Sequence, residues 1–145
     1  MRRLYKIKRK SFWKRGAGEL IGYAISMIIL LYIFVMVISL TVVDLGYKKM
    51  DSALQLIGRE IVILDDYDNA RIYAEEKAEE LLKDTDTLRG VTTNITYVSP
   101  AETTWDKGVY ITLEIKCYVD APNRLFSGTR SSYITLMIEN GGNTK

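Results

Sequence analysis

An uncharged apolar run of 24 residues, Leu20 to Val43, constrains this 145-residue chain more than any other feature. A helix rises about 1.5 Å per residue, so the run reaches roughly 36 Å, enough to cross a hydrocarbon core of about 30 Å with some tilt. It is too long for the apolar part of a secretory signal, and no small-residue cleavage site follows it. The sequence therefore predicts a retained span in a lipid bilayer.

Charge is distributed unevenly on the two sides of this run. Residues 1–15 hold eight Lys and Arg and no acid, whereas the other 130 residues hold 12 basic and 18 acidic groups. Basic residues beside a membrane span usually remain in the cytoplasm. The pattern thus predicts a cytoplasmic N-terminus and an extracytoplasmic C-terminal domain. It also accounts for the basic residues better than nucleic-acid binding does, so no nucleic-acid partner is expected.

These features divide the chain into four predicted segments. A basic cytoplasmic leader occupies residues 1–16, and a transmembrane helix occupies residues 17–43. A helical segment follows at 44–84, and a β-sheet region at 85–145 completes one small domain with it. About 100 residues follow the span, which is close to the usual size of a single domain.

Residues 44–84 are rich in helix formers and contain no proline, which predicts one long helix or two. The acidic stretch Asp65–Asn69 interrupts the pattern, and a second helix is expected to begin near Asn69. Apolar residues at three- and four-residue spacing form two stripes that we expect to be buried. The first stripe is Met50, Leu54, Ile57, Ile61 and Leu64, and the second is Ala70, Ala74, Ala78 and Leu81.

Beyond Gly90 the apolar period changes from helical to two. The segment Val109–Val119 alternates strictly between apolar and polar residues, which is typical of a half-buried strand. Val91–Val98 and Tyr133–Glu139 are the other predicted strands. Three consecutive strands suggest an antiparallel meander whose apolar face is covered by the preceding amphipathic helix. The expected fold class is therefore α+β, with a small three-stranded antiparallel sheet packed on a helix.

Little in the sequence suggests catalysis. The chain has no histidine and one cysteine, Cys117, which the strand pattern predicts to be a small buried apolar residue. The acidic stretch Asp65–Asn69 lacks the ligand spacing of a calcium loop, and no phosphate-binding loop, dinucleotide fingerprint or nucleophile elbow is present. We expect no enzyme activity, no catalytic residue, no cofactor and no metal site.

The cytoplasmic end of the apolar run carries small residues at a four-residue spacing: Gly18, Gly22 and Ser26. This spacing places the three side chains on one face of a helix. Small residues in that arrangement let a second membrane helix approach closely. We therefore interpret the face as a candidate helix-packing surface, while noting that glycine is common in membrane helices generally.

The stretch KRGAGE, directly before the apolar run, resembles the processing site of type IV pilin-like proteins. The plan of basic leader, RGAGE, one membrane helix and small α+β domain is most similar to the TadE-like minor pilins or pseudopilins. This resemblance implies cleavage by a membrane peptidase of the prepilin type between Gly16 and Ala17. It also implies that Glu19 pairs with the new amino terminus of a neighbouring subunit. Glu19 is third after the cut, whereas pilins generally carry this glutamate at the fifth position.

The resemblance implies a structural subunit of a cell-envelope pilus, secretion or conjugation apparatus. Such a subunit would associate with other pilin-like or apparatus subunits through its membrane helix. A second hypothesis is an uncleaved single-pass accessory protein whose outer domain binds a partner. A third is a basic tail that binds lipid or nucleic acid beside a passive domain.

Overall fold

The structure, a computed structural model, describes the backbone of residues 2–83 and 86–140, and the side chains of these residues from Gly16 onward except that of Ala17. The chain divides between Ile38 and Ser39 into two compact units. Five elements follow one another: α1 (Arg2–Ile61), α2 (Tyr67–Lys83), β1 (Leu88–Tyr97), β2 (Tyr110–Val119) and β3 (Gly128–Met137). A long apolar helix, a second helix and a three-stranded antiparallel sheet confirm the α+β fold class.

The first unit contains the apolar part of α1. All described side chains from Gly18 to Phe34 are exposed, and those of Val35 and Met36 are half-buried. Among the described residues, α1 is the one helix that is long and apolar enough to cross a membrane. Exposed leucine, isoleucine and phenylalanine over so many turns are unfavourable in water, because apolar surface costs roughly 25 cal/mol per Å².

In the second unit, one face of α1 contributes to the core. Four members of the predicted stripe, Met50, Leu54, Ile57 and Ile61, are confirmed, since each of these side chains is at most 2% exposed. The fifth, Leu64, lies beyond the end of α1 and is only partly buried against the core. The sheet lies lengthwise along this face. Gly46, two turns of α1 after Ser39, lies against Val119 of β2. Gly58, about three turns further along α1, lies against Leu136 of β3.

The second helix, α2, packs on β1 through a stripe of small residues. Ala70, Ala74 and Ala78 are fully buried, as predicted, but the fourth member is Leu82 rather than Leu81. A strict four-residue spacing continues the alanine line to Leu82, and Leu81 remains 37% exposed. The helix begins at Tyr67 rather than near Asn69, because the Asp66 carbonyl already accepts the Ala70 amide at 3.1 Å.

The three strands form an antiparallel meander in the order β1-β2-β3. The alternation predicted for β2 is confirmed, because Ile111, Leu113, Ile115, Cys117 and Val119 are buried. The opposite face of β2 carries Tyr110 and Tyr118, which are largely exposed. One face of the sheet thus packs on the helices, and the other is polar and aromatic.

A bulge in β1 extends this strand beyond its predicted start. Gly90 has φ +61°, and the pairing with β2 shifts by one residue between Arg89 and Thr92. Glycine adopts this left-handed conformation without the cost that a Cβ imposes. Because of the extra residue, Leu88 and Ile95 are both buried although a regular strand would place them on opposite faces.

The third strand begins at Gly128, earlier than the predicted start at Tyr133. Its first half carries Arg130 and Ser132 at positions that share the inner face with Ile134 and Leu136, so the apolar alternation is absent there. Ser132 nevertheless has a partner, since its hydroxyl donates to the Asp51 carboxylate of α1. Backbone pairing with β2, rather than apolar burial, forms this part of the strand.

The end of α1 is closed by groups from later parts of the chain. The Val62 carbonyl accepts the amides of Glu139 and Asn140 at 2.9 and 3.2 Å. The Trp105 indole donates to the Leu64 carbonyl at 2.8 Å. Carbonyl groups at a helix terminus have no partner within the helix, so these bonds satisfy groups that burial would otherwise leave unpaired.

The core assignment predicts a large effect on stability at one position of α1 and a small effect at its neighbour. Ile57 is 0% exposed, whereas Leu56 is 43% exposed. Ile57→Asp should lower the free energy of unfolding of the second unit by about 3–5 kcal/mol, because it buries an unpaired charge. Leu56→Asp should change it by less than about 1 kcal/mol. Urea unfolding of the full chain in detergent, followed by circular dichroism, measures both; equal losses would contradict the assignment.

Candidate assembly surface

The predicted helix-packing face is an open strip along the first unit. Gly18, Gly22 and Ser26 are exposed, and a Cβ added to either glycine would meet no other atom within 4 Å. Backbone atoms are therefore reachable along two turns of α1. This is the geometry that close helix-helix approach requires, and larger side chains would prevent it.

Ser26 is satisfied within the helix. Its hydroxyl donates to the Gly22 carbonyl at 2.9 Å, one turn earlier. A hydroxyl paired in this way can remain in an apolar environment without an external partner. The bond thus favours a packing role for Ser26, as a small side chain, over a role as a hydrogen-bond donor to a neighbouring helix.

Glu19 lies beside this strip. It is exposed, and its position three residues before Gly22 places the two on adjoining parts of the helix surface. A carboxylate at the edge of an apolar helix is expensive to move into hydrocarbon unless a cation accompanies it. An amino terminus or a basic side chain of a neighbouring subunit is the kind of group that this position would accept.

The predicted processing bond lies within α1. Gly16 is exposed and has helical backbone, as does Ala17, whose side chain lies outside the described residues. A peptidase must unwind a helix to reach a peptide bond in it. Glycine lowers helix stability by about 1 kcal/mol relative to alanine, so Gly16 and Gly18 reduce the free energy of unwinding on both sides of Ala17.

Surface concavities in the second unit include two of about 300 Å³ or more. An apolar one of about 340 Å³ lies beside Leu45, Lys48, Ser52, Leu56 and Leu81. A more polar one of about 300 Å³ lies between α2 and β1 and contains Glu75 and Glu79. Neither lining contains a cysteine or histidine. Among the described residues, no group of three or more metal-ligating side chains is placed to hold an ion.

Cys117 is buried against α1, as predicted. Its side chain is 1% exposed, and the thiol donates to the Met50 sulfur at 3.1 Å. Burial raises the pKa of this thiol above its ordinary value of 9.0. The thiolate, which is the reactive form, is therefore disfavoured, and Cys117 acts as a core residue.

Three further contacts could not be predicted from the sequence patterns. Ser39, within the predicted span, is 0% exposed and accepts the Asn123 backbone amide at 3.0 Å. Tyr67 stacks on Tyr97 and meets Trp105 edge-on, with ring centroids 6.0 and 5.8 Å apart. The only sequence signals were a serine in an apolar run and aromatic residues near turns, and neither indicates a partner.

The chain matches no protein-family model, no curated protein and no solved structure.

The raised pKa of Cys117 predicts a pH-dependent contribution to stability. Above pH 9 the unfolded chain loses the thiol proton before the folded chain does, so the unfolded state gains stability. The stability advantage of the wild-type chain over Cys117→Ala should fall by up to about 1.4 kcal/mol for each pH unit between the two pKa values. Urea unfolding of both chains at neutral and alkaline pH measures this; a constant difference would contradict it.

Proposed function

We propose that this protein is a non-enzymatic, pilin-like structural subunit of a cell-envelope pilus, secretion or conjugation apparatus. It would be a single-pass protein of the bacterial cell membrane, with its N-terminus in the cytoplasm and the second unit outside. The basic residues before Gly16 support this orientation by the positive-inside rule. The TadE-like sequence pattern supports the class of apparatus.

The observation that carries the proposal is the exposed apolar surface of α1. From Leu20 to Ile38 this helix presents large apolar side chains on all sides, with Leu20 at 72% and Leu31 at 65% exposure. Such a surface requires acyl chains or other helices around it. The open strip at Gly18 and Gly22 favours helices as neighbours on that side.

Assembly would proceed by packing of membrane helices. The strip of Gly18, Gly22 and Ser26 would set a close distance between two helices, where van der Waals contact replaces contact with lipid. Cleavage before Ala17 would create an amino terminus at nearly the same depth in the membrane as Glu19. The Glu19 carboxylate of one subunit would then neutralise the amino terminus of the next.

The second hypothesis, an uncleaved accessory protein, has one supporting observation. The bond between Gly16 and Ala17 lies in helical backbone, which is a poor conformation for a peptidase. In that case the helix would serve as an anchor, and the second unit would carry the recognition surface. The state of the N-terminus distinguishes the two hypotheses.

Intact mass of the membrane-extracted protein tests processing. In cells that contain a prepilin-type peptidase, we expect a chain that begins at Ala17. Gly16→Val should leave a chain that begins at Met1, because the residue before the cut is altered. Gly18→Val, two residues away, serves as the matched control and should still be cut. A wild-type chain that keeps Met1 in these cells would contradict the processing claim and favour the accessory protein.

Helix association tests the assembly claim independently of cleavage. Gly22→Leu should weaken self-association in lipid vesicles about tenfold, or about 1.4 kcal/mol, because the added side chain separates the helices. Ala24→Leu adds bulk on nearly the opposite face and should have little effect. Energy transfer between donor- and acceptor-labelled chains, measured against lipid dilution, gives both values. Equal effects of the two substitutions would contradict packing through the small-residue strip.

A further inference from the structure

The loop between β2 and β3 is attached to α1 at the start of the second unit. Ser39 is completely buried, and its hydroxyl accepts the Asn123 amide at 3.0 Å. Asn123 lies in the middle of the loop Asp120–Ser127. This bond therefore holds the centre of the loop at the level of Ser39 on the helix.

The same loop is held in one shape by its own hydrogen bonds. The Ser127 hydroxyl bridges its two ends, accepting the Ala121 amide at 2.9 Å and lying 3.2 Å from the Ala121 carbonyl. The side-chain oxygen of Asn123 accepts the Leu125 amide at 3.1 Å, and the backbone carbonyl of Asn123 accepts the Phe126 amide at 2.9 Å. The residues between these bonds thus form a defined tip.

The tip presents an apolar and a basic residue. Leu125 is 78% exposed, more than any other large apolar side chain for which the structure describes an exposure. Its neighbour Arg124 is also exposed. The loop adopts its shape without burying Leu125, so the domain core does not explain a leucine at this position.

The position of Ser39 along α1 indicates how deep this tip would lie in a bilayer that α1 spans. Ser39 follows 19 residues of α1, Leu20–Ile38, most of whose side chains are exposed. These 19 residues of helix extend roughly 28 Å, close to the thickness of a hydrocarbon core of about 30 Å. If α1 spans the bilayer, Ser39 lies where hydrocarbon gives way to headgroups. The loop that is bonded to Ser39 lies at the same level.

We propose that the loop Asp120–Ser127 is a second membrane contact of this protein, in the outer leaflet of the bilayer that α1 spans. Leu125 enters the boundary between acyl chains and headgroups, and Arg124 lies among the lipid phosphates. This arrangement matches the chemistry of the interface, which takes apolar side chains on its inner side and cations on its outer side. The inference rests on the membrane span in the proposed function.

Depth-dependent quenching in reconstituted vesicles tests the contact. The full chain carries a single environment-sensitive fluorophore on Leu125→Cys in a Cys117→Ala background, in vesicles of phosphatidylethanolamine and phosphatidylglycerol. Lipids spin-labelled on the headgroup, near the top of the acyl chain or near its end act as quenchers. The label at position 125 should be quenched most by the first two.

Two reference positions make the result interpretable. Leu31→Cys lies in the middle of the apolar stretch and should be quenched most by labels near the acyl-chain end. Ile63→Cys is 53% exposed near the far end of α1, and should be quenched by none of the three. Leu125→Trp and Ile63→Trp, with brominated lipids, provide a second measurement that does not alter Cys117. Each is compared with the unsubstituted chain, because that chain already contains Trp13 and Trp105.

The outcomes separate the two claims. Quenching at position 31 together with none at 125 would overturn the loop contact and leave the span intact. No quenching at position 31 would overturn both, because the span itself would be absent. Emission at position 125 that shifts with protein density but not with lipid quenchers would assign Leu125 to a second copy of the chain, which also overturns the lipid contact.

Discussion

The packing of one face of α1 on the inner face of the sheet is the interaction on which the second unit depends. The chain has two prolines, one cysteine and no disulfide to stabilise this unit, so its free energy of folding comes from apolar burial. The α1 face supplies Ile57 and its neighbours at helical spacing, and β2 supplies five buried side chains at strand spacing. Both periodicities meet in one core because the strands lie lengthwise along the helix.

The same helix must meet two different requirements along its length. Up to Phe34 it exposes apolar side chains on every side, and from Ser39 onward the second unit covers one face of it. The change occurs within the apolar run, before its end at Val43. Val42 and Val43, at the end of this run, are partly buried against the core of the second unit.

The features that were predictable from the sequence are those with a regular period. The stripe from Met50 to Ile61 and the alternation in β2 each repeat often enough to show which face is buried. The start of β3 was missed because Arg130 and Ser132 interrupt its alternation, and the start of β1 because the bulge at Gly90 changes its phase. Both cases depend on backbone pairing with β2, which leaves little trace in side-chain composition.

On the candidate assembly surface too, the regularly spaced residues were predictable from the sequence, and the individual hydrogen bonds were not. The spacing of Gly18, Gly22 and Ser26 was visible in the sequence, because helix geometry follows directly from residue numbers. The internal bond of Ser26 and the attachment of Asn123 to Ser39 were not. Each depends on where a single hydroxyl points, and the second joins residues 84 positions apart.

The closure at the end of α1 also sets an order of events during biosynthesis. The Val62 carbonyl receives its partners from Glu139 and Asn140, which leave the ribosome long after the helix itself. Until β3 has been synthesised, the terminus of the helix remains hydrated and the core beside it is open. The second unit therefore cannot complete its fold before the residues that follow β3 have been synthesised.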